Sequence, residues 1–79
     1  MKQFDMDTFR ENLRECRLQA GLTMQQLADK INVRYLSIYR WETGKRSPAL
    51  VHVVAIAEAL DMSLPELLCI ADEEEDNGY

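Results

Sequence analysis

The chain has 79 residues, 47% of them hydrophobic, with 9 basic and 14 acidic side chains and a formal charge of −5. That length holds one small domain, and the apolar fraction is that of a folding chain, not a disordered one. Several classes are excluded: no apolar run nears the ~20 residues of a membrane helix, the first residues show no secretory apolar stretch, and two cysteines, Cys16 and Cys69, are too few for a zinc cluster or disulfide framework.

In chain order, Phe9, Leu13, Cys16 and Ala20 recur at spacings of four, three and four and mark one face of a first helix. Asp7 or Thr8 is placed to cap its start, and Gly21 to stop it. Thr23 precedes a second periodic set, Met24, Leu27, Ala28 and Ile31, and the order Thr23-x-x-Gln26 predicts a capping box. That helix is short and ends near Asn32. Tyr35 to Glu42 holds no Gly or Pro and predicts a third short helix, with Ile38 and Trp41 on its inner face. Thr43 to Pro48 reads as a turn-forming loop. Leu50, Val53, Val54, Ala57 and Leu60 mark a fourth helix. Ser63 caps a fifth, which holds Leu64, Leu67 and Leu68 with Pro65 in its first turn. No strand pattern and no repeat emerge. The expected fold is all-α, five compact helices over residues 5–70, with residues 71–79 a frayed acidic tail.

Charge is distributed unevenly. Residues 1–65 carry every cation and net +1, whereas residues 66–79 hold six anions and no cation. Between Met24 and Pro48 the cations Lys30, Arg34, Arg40, Lys45 and Arg46 face only Asp29 and Glu42, a local +3. A cationic middle is either a solvated face or the part that a polyanion meets.

The third helix is expected to present Arg34, Tyr35, Leu36, Tyr39 and Arg40 outward. Ala28 and Ser37 are small enough to let it cross the second helix closely. An exposed cationic and aromatic helix held by a partner helix fits the major groove of B-DNA. Tyr35 and Tyr39 are groove contacts or ordinary surface tyrosines, and Leu36 meets a thymine methyl or packs locally. Arg40 bonds either a guanine edge or a phosphate. Trp41, on the face of Ile38, reads as core. Cys16 reads as core too, and His52 as a surface residue of the fourth helix. Val51 and Ala55 widen that helix's apolar arc beyond what one core requires, which suggests a partner surface.

The run from Gly21 to Leu68 resembles the helix-turn-helix of the XRE family, the phage lambda-repressor-like domains. Leu27-Ala28, Ile38, Trp41-Glu42, Gly44-Lys45-Arg46, Pro48, Ile56-Ala57 and Ala59-Leu60 carry the likeness, which spans about Leu13 to Leu68. The resemblance implies base reading by Arg34, Tyr35, Leu36, Tyr39 and Arg40. It implies phosphate contacts from Thr23, Gln25, Thr43, Lys45, Arg46 and Ser47, and an ion pair between Arg17 and Glu42. It also implies a homodimer around the last two helices, for which Val51, Val54, Ala55 and Met62 are candidates, with Leu64 and Ile70 beside them. Three positions depart from the family pattern: Met24 replaces a usual Gln, Arg34 a usual capping Ser or Thr, and Asn32 a usual turn Gly.

The expected function is a sequence-specific double-stranded DNA-binding transcriptional regulator, a repressor, acting without catalysis, metal, cofactor or membrane. No small-molecule ligand is evident, and a reduced cytoplasmic setting is expected. The competing reading is a protein-interaction module of the same fold, an antitoxin-like or anti-repressor partner, which the acidic tail favours and the +3 centre opposes.

Overall fold

The computed structural model describes residues 6–68. Five helices follow one another there: α1 (Met6–Gln19), α2 (Met24–Ile31), α3 (Tyr35–Glu42), α4 (Leu50–Ala59) and α5 (Leu64–Leu68). The order and number are those expected, and no strand occurs among the described residues. The expected domain limits and the acidic tail reach beyond them, as do Cys69 and Ile70.

Local chemistry sets the ends of these helices. After α1, Gly21 takes a left-handed φ of 77°, so that Leu22 N–H donates to Arg17 O at 3.1 Å and Gly21 N–H to Leu18 O at 2.9 Å. This closes the last turn. The same device ends α4 without a glycine: Asp61 sits at φ 58°, with Met62 N–H donating to Ala57 O at 2.9 Å. Ser63 begins α5 with a capping box. Its Oγ accepts from Glu66 N–H at 3.3 Å, and its N–H donates to Glu66 Oε1 at 2.9 Å.

The core is built from Phe9, Leu13, Leu27, Ala28, Ile38, Trp41, Val53, Ile56, Ala57 and Leu67. Each large side chain removed from water there contributes about 1.5–3 kcal/mol. α2 packs on α3 and α4, while α1 packs on α3 and α5. Asn12 staples the last pair: its Nδ2 donates to Leu67 O at 2.7 Å and Glu66 O at 3.1 Å.

Three expectations about faces need correction. Cys16 is half-buried rather than core, and its Sγ donates to Asn12 Oδ1 at 3.6 Å. Ala20 lies beyond α1 and is exposed. The buried row of α1 is Phe9, Leu13 and Arg17, spaced by four, because Arg17 has an acidic partner inside the domain. In α4, Leu50 of the periodic set is exposed and so is Val54, a residue also expected at a partner surface, while Ile56 is fully buried. This helix is apolar almost all round, so spacing alone does not select its inner face.

Candidate nucleic-acid interface

Two short helices and their connection form the centre of the site. Thr23 Oγ1 accepts from Gln26 N–H at 3.0 Å, and Gln26 Oε1 accepts from Thr23 N–H at 2.8 Å, the capping box read from the sequence. Asn32 follows α2 at φ 62°, ψ 47°, and Val33 N–H returns to Ala28 O at 3.0 Å. Asn tolerates this left-handed geometry better than most residues, so the usual glycine is dispensable here. Ala28 is fully buried and Ser37 half-buried where α2 packs on α3.

α3 turns Ile38, Trp41 and Glu42 inward. Arg34, Tyr35, Leu36, Tyr39 and Arg40 all remain exposed, with Tyr35 at 45% and Leu36 at 44%. Arg34 precedes the helix in extended conformation and makes no side-chain cap. The first N–H groups of α3 therefore lack the side-chain acceptor that α2 has. Among the described residues, none of Arg34, Arg40, Lys45 and Arg46 is paired with a carboxylate.

The far end of α3 is anchored from α1. Arg17 Nε donates to Glu42 Oε2 at 2.6 Å, Nη2 to Oε1 at 3.0 Å and Nη1 to Leu22 O at 2.8 Å. Both residues are only 5% exposed. The hydrogen bond to Glu42 is the main cause holding the Arg17 guanidinium above its ordinary range. No buried side-chain N or O among the described residues lacks a partner. The ion pair expected from the resemblance is present, bidentate and buried.

The loop after α3 carries Thr43, Gly44, Lys45, Arg46 and Ser47, all exposed. Gly44 has φ 80°, and a Cβ there would sit 3.1 Å from the Cδ and Nε of Arg10. Arg10, which also pairs with Asp7 at 3.2 Å, is thus laid over this turn from α1. The sequence gives no signal of it, because the contact joins residues that only the fold brings together. Ser47 Oγ donates to Met6 Sδ at 3.5 Å, a second tie from α1 to the loop.

The expected phosphate ligands differ in what they have free. Lys45 and Arg46 project from the loop. Thr23 accepts at its hydroxyl oxygen and keeps its proton for donation. Gln25 Nε2 donates to Asp29 Oδ1 at 2.9 Å, and Thr43 Oγ1 donates to Tyr39 O at 2.8 Å. Gln25 is thus occupied within α2, and Thr43 on the last turn of α3. Of the residues expected at a partner surface, Val51 is 69% and Val54 36% exposed. Leu50, not expected there, is 72% exposed. Ala55 is half-buried, and Met62 packs against the core. No described helix is long and apolar enough to cross a membrane, and no described cluster of His, Cys, Asp and Glu is placed to hold a metal.

A family model described as Helix-turn-helix matches residues 13–67, most of the chain. The chain belongs to that XRE-type helix-turn-helix family. It is similar to YqaE, an HTH-type transcriptional regulator of Bacillus subtilis (strain 168), at 40% identity over 76% of this chain and 52% of the relative. It is also similar to RstR, the cryptic phage CTXphi transcriptional repressor of Vibrio cholerae, at 34% identity over 73% of this chain and 52% of that protein. The chain spans about half the length of these two curated relatives. The crystal structure of the restriction-modification controller protein C.AhdI from Aeromonas hydrophila superimposes with a TM-score of 0.76 and 33% identity, covering 80% of this chain and 96% of that one. Proteins named as transcriptional regulators and as a repressor thus carry sequence similar to the helix-turn-helix described above.

Proposed function

We propose that this chain is a sequence-specific repressor that docks α3 in the major groove of double-stranded DNA and occludes a promoter. The observation that carries this reading is the outer face of α3, on which Arg34, Tyr35, Leu36, Tyr39 and Arg40 are all exposed. Arg34, Tyr35, Leu36 and Tyr39 read base edges and methyl groups, and Arg40 stands at the border between the groove and the loop. Lys45, Arg46 and the hydroxyl of Thr23 hold phosphates and fix the register, while the Ser47 hydroxyl ties the loop to Met6. Such contacts position the protein without reading sequence. Gln25 supports the site within α2, and Thr43 by closing the end of α3. Binding is the whole activity, and the setting is cytoplasmic.

A second copy completes the operator contact. Val51 and Val54, with Leu50 beside them, form an exposed apolar strip on α4, while Ala55 and Met62 back it. Pairing through this strip would set two α3 helices about one DNA turn, ~34 Å, apart.

Selection of bound duplexes from a random pool tests the reading as a whole. The expected product is a short palindromic consensus, together with a dimer mass on DNA. A pool that stays random at moderate salt favours the interaction-module reading instead. Replacing Lys45 and Arg46 together by Ala should weaken binding to every sequence and lower the salt slope by about 2.

A further inference from the structure

His52 enters none of the roles assigned so far, yet the fold gives it a specific seat. Its ring lies 5.2 Å from that of Trp41, tilted by 36°. The two rings form one wall of a cleft of about 280 Å³ between α3 and α4, lined also by Ser37, Arg40, Arg46, Ser47 and Ala49. Arg40, Arg46 and Ser37 thus line the cleft beside one imidazole, while the Ser47 hydroxyl donates to Met6 Sδ. Arg40 comes from α3, Arg46 and Ser47 from the loop, and His52 from α4. Among the described residues, no carboxylate lines the cleft.

Such a donor set, with no acceptor charge to oppose it, is built for an oxyanion. The cleft also adjoins the groove-facing side of α3 through Arg40. The anion that arrives there with a docked duplex is a backbone phosphate. We infer that the cleft holds one phosphodiester of the bound DNA, with His52 as an imidazolium donor beside Arg40 and Arg46. This deepens the DNA-binding reading and rests on it. It assigns Arg40 to phosphate, leaving base reading to Arg34, Tyr35, Leu36 and Tyr39.

A consequence follows from linkage. Histidine is the side chain that ordinarily changes charge between pH 5 and 8. A phosphate beside His52 favours the protonated ring, so DNA binding takes up a proton. Among the described residues, the charged groups facing that ring from the cleft walls are Arg40 and Arg46. The chain has a single histidine and a single tryptophan, so Trp41 emission reports this cleft directly.

The test measures affinity and salt slope for a pool-selected duplex at about pH 5.5 and about pH 8, either side of histidine titration. The wild type should bind more tightly at the lower pH, with a salt slope steeper by about 1. His52→Gln should lose the pH dependence, and His52→Arg should hold the steeper slope at both values; the helical circular dichroism of each variant checks its fold. One methylphosphonate position in the duplex should abolish the wild type's pH dependence. Arg40→Ala should weaken all sequences alike. The assignment is overturned if His52→Gln keeps the pH dependence, or if no methylphosphonate position removes it. It is equally overturned if inorganic phosphate alone shifts Trp41 emission and the duplex does not, which would make this a free-phosphate site. Failure of the wild type to bind any duplex at either pH would strike the DNA-binding reading itself, and this site with it.

Discussion

Helices α2 and α3 have eight residues each and pack against one another, but they are held in opposite ways. α2 is closed by its own sequence: a reciprocal box at Thr23 and Gln26 in front, and left-handed Asn32 behind. α3 has no side-chain cap in front, and its last residue, Glu42, is gripped by Arg17 from another helix. The difference teaches where stability is located. α2 is a self-sufficient platform. α3 takes its place from Ile38, Trp41 and Glu42 on the inside, which leaves every outward position free to vary with the ligand.

The largest expected effect comes from cutting the outside hold on α3. Glu42→Ala leaves the Arg17 guanidinium buried without its carboxylate and should cost about 3–5 kcal/mol, read as a lowered urea midpoint. Replacing both partners by apolar residues of similar volume should recover most of that loss. A double variant as unstable as the single one would show that the pair itself supplies net stability.

Next in size is the inside hold on α2. Thr23→Ala should cost about 1 kcal/mol, whereas Arg34→Ala, at the matching position of α3, should leave the midpoint nearly unchanged because no cap is lost. Equal costs at the two positions would break the contrast. Arg34→Ser sharpens it further. A cap acceptor gained and an opposing cation removed should stabilise the fold by roughly 0.5–1 kcal/mol while weakening the selected duplex.

The smallest effect is on acid stability and belongs to α5. The N–H and then the hydroxyl of Ser63 hold the Glu66 carboxyl below its ordinary range. A carboxyl lowered in the folded state adds stability above its unfolded value and loses it as pH falls through the folded one. The wild type should therefore lose slightly more stability than Glu66→Gln as pH drops below the usual glutamate range. Parallel acid titrations of the two would remove this account.

The contrast between the two helices also explains what was legible beforehand. The box at Thr23 and Gln26 involves residues three apart, so the order of residue types was enough to predict it. The inner residues Ile38 and Trp41 followed from their spacing. The outward set on α3 was readable because removing the inner face leaves it. Apart from the Arg17–Glu42 pair, which the family resemblance implied, the chain order concealed the contacts across long separations. Arg17, not Cys16, completes the buried row of α1, since its acidic partner is 25 residues away. Arg10 over Gly44 and His52 against Trp41 depend on how whole helices are set against each other. In α4 an almost uniformly apolar run offered no polar side to mark which face was outside, so the set that marked the helix mixed exposed Leu50 and Val54 with buried Val53 and Ala57.

The amide of Asn12 has a bearing on how the chain assembles during synthesis. It reaches carbonyls 54 and 55 residues further along, so the first helix waits for the last before its inner surface is sealed. Contacts of such long separation slow folding. A nascent chain that stops short of Leu67 lacks both the apolar plug and the clasp that fastens it. Emergence of α5 is therefore what lets these contacts with α1 form.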